Sequence, residues 1–240
     1  MRLIGNKNPF KKIFSLLWDL VFPKECVVCK EEGSFLCKKC FKTIDFSNEN
    51  QCVVCGRPAK PDNRLCPLCG NEFFLDGVFV MGKYDGAIKE LIRLLKFDYV
   101  EEAAADLSKL FVDAVVSSNI SPSLFDQIII PIPLYRKRFL ERGFNQSELI
   151  ARKVAEALHM NFRPDLLCRI KNTAHQANLT KSERFENIKE AFSAREGAAI
   201  EKVFLFDDVF TTGQTMNEAA KSLKAAGVKE VRALALAHGS

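Results

Sequence analysis

The chain has 240 residues, room for one large domain or for one medium domain with a small module. Its 48% hydrophobic content is enough for a packed core, and its net charge of +5 is a mild basic excess rather than a polybasic tail. That balance permits contact with phosphorylated ligands or nucleic acid without demonstrating it.

In chain order, residues Phe10 to Phe22 are apolar but too short to span a bilayer, and they include Lys11, Lys12 and Asp19. They predict a leader helix within residues 1–23, with contact at a membrane surface as the alternative given the basic start. No export signal of the usual form is expected at the start.

Eight of the nine cysteines follow within residues 26 to 69 as four C-x-x-C pairs: Cys26 and Cys29, Cys37 and Cys40, Cys52 and Cys55, Cys66 and Cys69. A C-x-x-C turn brings two thiolates to one tetrahedral metal, and two such turns close a four-cysteine site. A zinc-ribbon module with about two structural zinc ions is therefore expected over residues 24–72, in preference to a disulfide framework. Pairing in sequence order is the first choice; a crossed arrangement, with the first and third pairs sharing a metal, is the alternative. A module this small has little core, so metal supplies much of its folding energy. The ninth cysteine, Cys168, stands in an apolar run and is expected to be a buried core thiol.

From residue 73 onward the pattern alternates. Asp76 to Tyr84 reads as a strand, and Ala87 to Phe97 as a helix with Ile88, Leu91, Ile92, Leu94 and Leu95 on helical spacing and Lys89, Arg93 and Lys96 as polar punctuation. A second helix runs from Val100 to Val116, and Ile128 to Ile130 forms a buried strand. Pro131-Ile132-Pro133-Leu134 and the basic run Tyr135-Arg136-Lys137-Arg138 come next, then a helix from Ser147 to Leu158 and a strand from Leu166 to Ile170. Lys171 to Asn187 is polar and lacks a clean period. Val203 to Phe206 is the central strand, Met216 to Ala226 a helix stopped by Gly227, and Val231 to Ala237 the closing strand. Such alternation predicts an α/β domain over residues 73–240: a mainly parallel sheet flanked by helices. Ligands bind such sheets beyond the carboxyl ends of the strands.

Asp207 and Asp208 stand where the central strand is expected to end, followed by Thr211-Thr212-Gly213-Gln214-Thr215 at the start of a helix. Backbone N–H groups and hydroxyls at a helix N-terminus suit a phosphate, and Gly213 lets the backbone approach it. Carboxylates beside that cradle accept hydrogen bonds from sugar hydroxyls, which points to a sugar phosphate. Four apolar residues before Asp-Asp also resemble a Walker B strand. Gly77 to Lys83 likewise has a G-x-x-x-x-G-K skeleton. Tyr84, however, stands where a nucleoside triphosphatase needs Ser or Thr, and Val78 to Met81 is strand-like.

The run from Val203 to Thr215 resembles the thirteen-residue phosphoribosyl-pyrophosphate (PRPP) signature of type I phosphoribosyltransferases. That resemblance implies PRPP binding at Asp207, Asp208, Thr211, Thr212, Gly213, Gln214 and Thr215, with the acidic pair on the ribose and the loop on the 5′-phosphate. It also implies a pyrophosphate-binding loop at Leu134, Tyr135, Arg136, Lys137 and Arg138, magnesium accompanying PRPP, and a hood over Lys171 to Asn187. A solvated surface patch is the alternative for the three basic residues. No catalytic residue is assigned; His175 is more economically a surface loop residue.

A closer resemblance comes from the order of elements. The cysteine module precedes Arg142-Gly143-Phe144-Asn145-Gln146, then Thr173, Gln176, Leu179, Arg184, Asn187 and Ala191-Phe192, ahead of the phosphate loop. This order resembles the competence-protein F (ComF) family. It implies a cytoplasmic factor of natural transformation, near the inner face of the membrane, that handles incoming single-stranded DNA beside a helicase-like competence protein. An active phosphoribosyltransferase of unassigned acceptor is the alternative reading. Whether the zinc module meets DNA or a protein partner is left open by the residues.

Overall fold

The computed structural model describes residues 24–44, 46, 50–59, 65–98, 100–118, 126–173, 188–195 and 200–239. The leader helix expected within residues 1–23, and His175 with the rest of the hood from residue 174 to 187, lie outside them. The chain divides into two compact units, Met1–Ile44 and Asp45–Ser240.

In the first unit, Glu25 and Glu32 form an antiparallel bridge around the first C-x-x-C turn. Helix α1 (Lys38–Phe41) starts on Cys37, whose sulfur accepts from the Cys40 N–H. In the second unit the motif recurs: Gln51 bridges Pro58, and helix α2 (Pro67–Glu72) starts on Cys66 with proline at its first position. Proline is favoured there because that N–H has no helical partner to lose.

The sheet contains strands β1 (Gly77–Lys83), β2 (Ile128–Pro131), β3 (Asn161–Phe162), β6 (Lys202–Phe210) and β7 (Glu230–His238) in the spatial order β1-β7-β6-β2-β3, every pair parallel. β1 occupies the stretch with the G-x-x-x-x-G-K skeleton, so that stretch is a strand and not a phosphate loop. Helices α3 (Gly86–Phe97), α4 (Ala103–Val116), α5 (Arg136–Arg142), α6 (Gln146–Ala157) and α7 (Gln214–Ala225) join the strands. Of the apolar residues of α3, Ile88, Leu91, Ile92 and Leu95 are buried as one stripe, and Leu94, at its edge, is half-buried. Val203 to Phe206 is fully buried, as expected for a central parallel strand covered on both faces. Phe111 of α4 packs edge-on against Phe206 at 5.3 Å and Phe79 at 5.8 Å.

Connections from β2 and β6 leave in opposite directions, toward β3 and β7. The carboxyl ends of these two neighbours therefore flank a switch point, where doubly wound sheets bind ligands.

Three expectations are corrected. β6 does not end at Phe206 but continues through the acidic pair to Phe210. Residues 136–138 belong to α5 rather than to a loop, and none of that helix is buried. Cys168 is exposed: β4 (Leu167–Arg169) pairs antiparallel with β5 (Phe192–Ala194) in a separate two-stranded ribbon. Alternation there buries Leu167 and turns the thiol outward, where it meets the Ser193 carbonyl at 3.4 Å.

The second cysteine group is part of the α/β body's core. Cys52, Val53, Leu65, Cys66 and Cys69 belong to one buried cluster with Leu75, Val203, Leu205, Met216, Leu223 and Val231.

Candidate functional site

The thiols gather in sequence order into two groups, Cys26, Cys29, Cys37 and Cys40, and Cys52, Cys55, Cys66 and Cys69. Within each group the sulfurs lie within 4.8 Å of one another. The Cys29–Cys37 and Cys55–Cys66 sulfurs are 3.6 and 3.5 Å apart. Those separations are far beyond a disulfide bond. They approach the roughly 3.8 Å edge of a zinc tetrahedron with bonds of about 2.3 Å. Each group holds one thiol low and pushes another up: burial and the neighbouring thiols push Cys40 up to about 12 and raise Cys69, while Cys26 and Cys66 are lowered. Burial opposes ionisation of Cys26, but the N–H groups of Cys29, Cys37 and Val28 overcome it and bring the thiol down to about 6. The Cys69 N–H and the neighbouring thiols bring Cys66 to about 6. Both groups thus fit structural zinc, with no protein ligand position left open.

At the switch point the two carboxylates are held by different elements. Asp207 accepts a 2.7 Å hydrogen bond from the hydroxyl of Ser147, in the first turn of α6. Asp208 is buried and pairs with the Lys96 ammonium at 2.7 Å, from the last turn of α3. Burial, and then the charge of Asp208, push Asp207 up to about 6, against the pull of Ser147 and Lys96. Asn145 anchors this corner. Its amide donates to the Ile132 carbonyl at 3.0 Å, and its oxygen caps α6 at the Ser147 N–H at 3.1 Å. The R-G-F-N-Q run therefore ties the exit of β2 to the helix that orients Asp207.

The loop after β6 turns at Gly213, the N-cap of α7, with φ +75°. That angle favours glycine, and a Cβ there would also strike the Phe210 ring and lie 3.0 Å from the Phe73 ring. Gly213 is thus seated against two aromatic rings, a requirement additional to the close phosphate approach expected from the sequence. Thr211, Thr212, Gln214 and Thr215 are half-buried around it, and the Gln214 side-chain oxygen is buried without a hydrogen-bond partner.

Arg169, on β4, was not singled out by any motif. Its guanidinium lies over the Phe192 ring at 5.5 Å and donates to the Thr173 hydroxyl. Its Nε is buried with no hydrogen-bond partner. Burial lowers its pKa, Asp207 opposes that shift, and Arg138 adds to it. Arg169 therefore lies within electrostatic reach of Asp207 and of Arg138 in the basic helix. Of the expected pyrophosphate residues, Leu134 and Tyr135 are half-buried between β2 and α5, and Arg136 and Lys137 are exposed. Tyr135, Arg136 and Lys137 line a cleft of about 440 Å³ with Leu140 and Glu141.

Spacing alone could have pointed to Ser147, which adjoins the R-G-F-N-Q run. No local signal marks Lys96 or Arg169, because their partners are distant in sequence.

Comparison with known proteins agrees with this division. The family described as "Double zinc ribbon domain" matches residues 17–73, and that described as "Phosphoribosyl transferase domain" matches residues 145–240. The chain is thus a double zinc ribbon joined to a phosphoribosyltransferase-type domain. Competence protein F of Haemophilus influenzae is 31% identical over 225 residues, covering 90% of this chain and 97% of its own length. DNA utilization protein YhgH of Escherichia coli O6:H1 is 30% identical, covering 82% of this chain and 94% of its own. Competence protein ComFC of Streptococcus pneumoniae is 29% identical, covering 88% and 90%. The chain belongs to the competence protein F family.

Proposed function

We propose that this protein serves the handling of DNA taken up in natural transformation, and that its α/β body binds PRPP with magnesium at the switch point between β2 and β6. The observation that carries the ligand reading is the pairing of opposite poles there. Asp207 stands at one side, and Arg169, with a buried donor lacking a partner, within its electrostatic reach. Hydroxyl donors suit the first pole and phosphoryl oxygens the second. Thr211 to Thr215 would take the 5′-phosphate at the start of α7. Arg169 and residues 134–138 would face the pyrophosphate, and Asp207 the ribose hydroxyls. Both carboxylates already have protein partners, so magnesium would be held chiefly by the phosphates of the ligand, as is usual for this ion.

The raised pKa of Asp207 supplies a test. An ionised Asp207 accepts from two hydroxyls, a protonated one less well, so PRPP affinity should fall as pH drops below about 6, by roughly tenfold per unit in the limit of one linked proton. PRPP phosphates titrate in the same range, so the decisive comparison is with Asp207→Asn, whose profile should be shallower by that one proton. Equal slopes in calorimetric titrations would remove Asp207 from the ribose site. The same group affects stability in the opposite sense. The folded state retains its proton from the ordinary 3.8 up to about 6, so its contribution to stability falls as pH rises through that window and is constant above it.

Turnover is a second reading, favoured by the same carboxyl, because a group titrating near 6 is suited to proton exchange close to neutral pH. Pyrophosphate release from PRPP with any nucleobase or amine would establish it.

For the DNA role, the support is the family and the basic balance of the chain. Single-stranded DNA should bind weakly, and log K should fall linearly with log salt at a slope of about −0.7 per phosphate contacted. Fluorescence anisotropy showing no binding even at low salt would leave the zinc ribbons as protein-docking modules, the helicase-like competence protein being the partner to test.

A further inference from the structure

The second cysteine group and the phosphate loop are joined by a short run of residues. Cys69 lies in α2, and its carbonyl accepts from the Phe73 N–H at 3.0 Å. The Phe73 ring covers Gly213, at 3.0 Å from where a Cβ would stand. The next N–H, that of Phe74, donates to the Asn217 side-chain oxygen at 2.7 Å. Asn217 is 6% exposed and lies one turn into α7, where its own N–H bonds the Gly213 carbonyl at 2.8 Å. Two routes therefore lead from a metal ligand to the same glycine, one through a ring and one through a hydrogen bond to a buried asparagine.

Both contacts end on buried groups of the loop and of α7. Gly213 has no side chain, so the shape of its turn depends on what packs over it, and Phe73 and Phe210 are those groups. Asn217 is buried, so movement of Phe74 would leave its oxygen without a donor. Phe73 and Phe74 follow Cys69 by four and five residues and leave directly from the helix that starts on Cys66. A helix this short has little stability of its own, so its geometry depends on whether Cys66 and Cys69 are drawn together.

We propose that the second four-cysteine group is the positioning base of the phosphate loop: zinc in that group sets Phe73 and Phe74, which fix Gly213 and Asn217 in the ligand-binding shape. Phe73 and Asn217 are positioning residues, not ligand contacts. The proposal rests on the phosphate-loop reading of residues 211–215 and gives the zinc ribbon a task in that site. By reciprocity, zinc that tightens phosphate binding must itself be held more tightly when the ligand is bound.

The test uses the full chain carrying Cys37→Ser, so that metal release reports the second group alone. Zinc affinity, measured by equilibrium competition with a chromogenic chelator, should rise by about fivefold or more when PRPP with magnesium is added, the lower end of ordinary coupling. Asn217→Leu should lose this protection while keeping its zinc, and Asn217→Asp, which retains the acceptor, should restore it. Phe73→Leu provides the same comparison should Asn217→Leu fail to fold. If calorimetry shows PRPP bound while zinc affinity is unchanged, the coupling is overturned and the ligand reading stands. If PRPP does not bind, the ligand reading fails and the coupling is judged by hydrogen exchange. Faster exchange at residues 211–217 in Asn217→Leu than in Asn217→Asp, with β6 and β7 equally protected, supports it; identical exchange overturns it.

Discussion

Cys66→Ser is expected to lower the thermal midpoint of the α/β body by about 10 °C or more, whereas Cys37→Ser should leave that midpoint within a few degrees. Each variant should lose one of two zinc ions. The difference follows from where the two groups lie. Cys66 and Cys69 are 3% and 4% exposed, and they share a buried cluster with Val203, Leu205 and Val231 of the central strands. Cys37 belongs to the other compact unit. Burying a Val or Leu side chain contributes about 1.5–3 kcal/mol. Loosening Val53, Leu65 and their neighbours therefore removes several kcal/mol. For a body of this size each kcal/mol moves the midpoint by about 2–4 °C. Metal analysis beside differential scanning calorimetry reads both quantities. Equal midpoints for the two variants would show that the second ribbon does not support the sheet.

The second large effect concerns the acidic pair, whose members should fail in different ways. Asp208→Asn leaves the Lys96 ammonium, 20% exposed at its side chain, facing a neutral amide. Removing one partner of a buried ion pair costs about 3–5 kcal/mol, so this variant should be destabilised chiefly. Asp207→Asn keeps an oxygen for Ser147 and should fold normally. It should lose about tenfold to a hundredfold in PRPP affinity, the worth of a hydrogen bond to a charged group, while binding inorganic phosphate as before. Urea unfolding and calorimetry on the same preparations separate the two outcomes. A stable Asp208→Asn, or an Asp207→Asn with unchanged PRPP affinity, would reverse these roles.

Much of the molecule was legible in the sequence because its signals are local. Two C-x-x-C turns at short range can hardly avoid one another, and the sequential pairing expected from spacing is the one observed. The apolar run Val203 to Phe206 reads as a buried strand, and it is one. What escaped depends on contacts between distant residues. Lys96 reads as helix punctuation until α3 delivers it to Asp208. Ser147 reads as an ordinary helix start until it meets Asp207, sixty positions later. Cys168 reads as a core thiol because its run is apolar, but the run forms a two-stranded ribbon in which only alternate side chains turn inward. The basic residues 136–138 read as loop, yet they open a short helix closed by Gly143 at φ +84°. The place of the second ribbon in the core has no local signature either: Cys52, Val53 and Leu65 look like any small metal module until the sheet packs against them.

The central claim is that the carboxyl end of β6 binds a sugar phosphate carrying pyrophosphate. Isothermal titration of the zinc-loaded chain with PRPP and magnesium, beside ribose 5-phosphate and inorganic phosphate, tests it most directly. The expected result is saturable binding of one PRPP per chain, weaker binding of ribose 5-phosphate, phosphate weakest of the three, and a selective loss of PRPP affinity in Asp207→Asn. Absence of PRPP binding by the folded wild-type protein, or equal affinity for PRPP and inorganic phosphate, would contradict it.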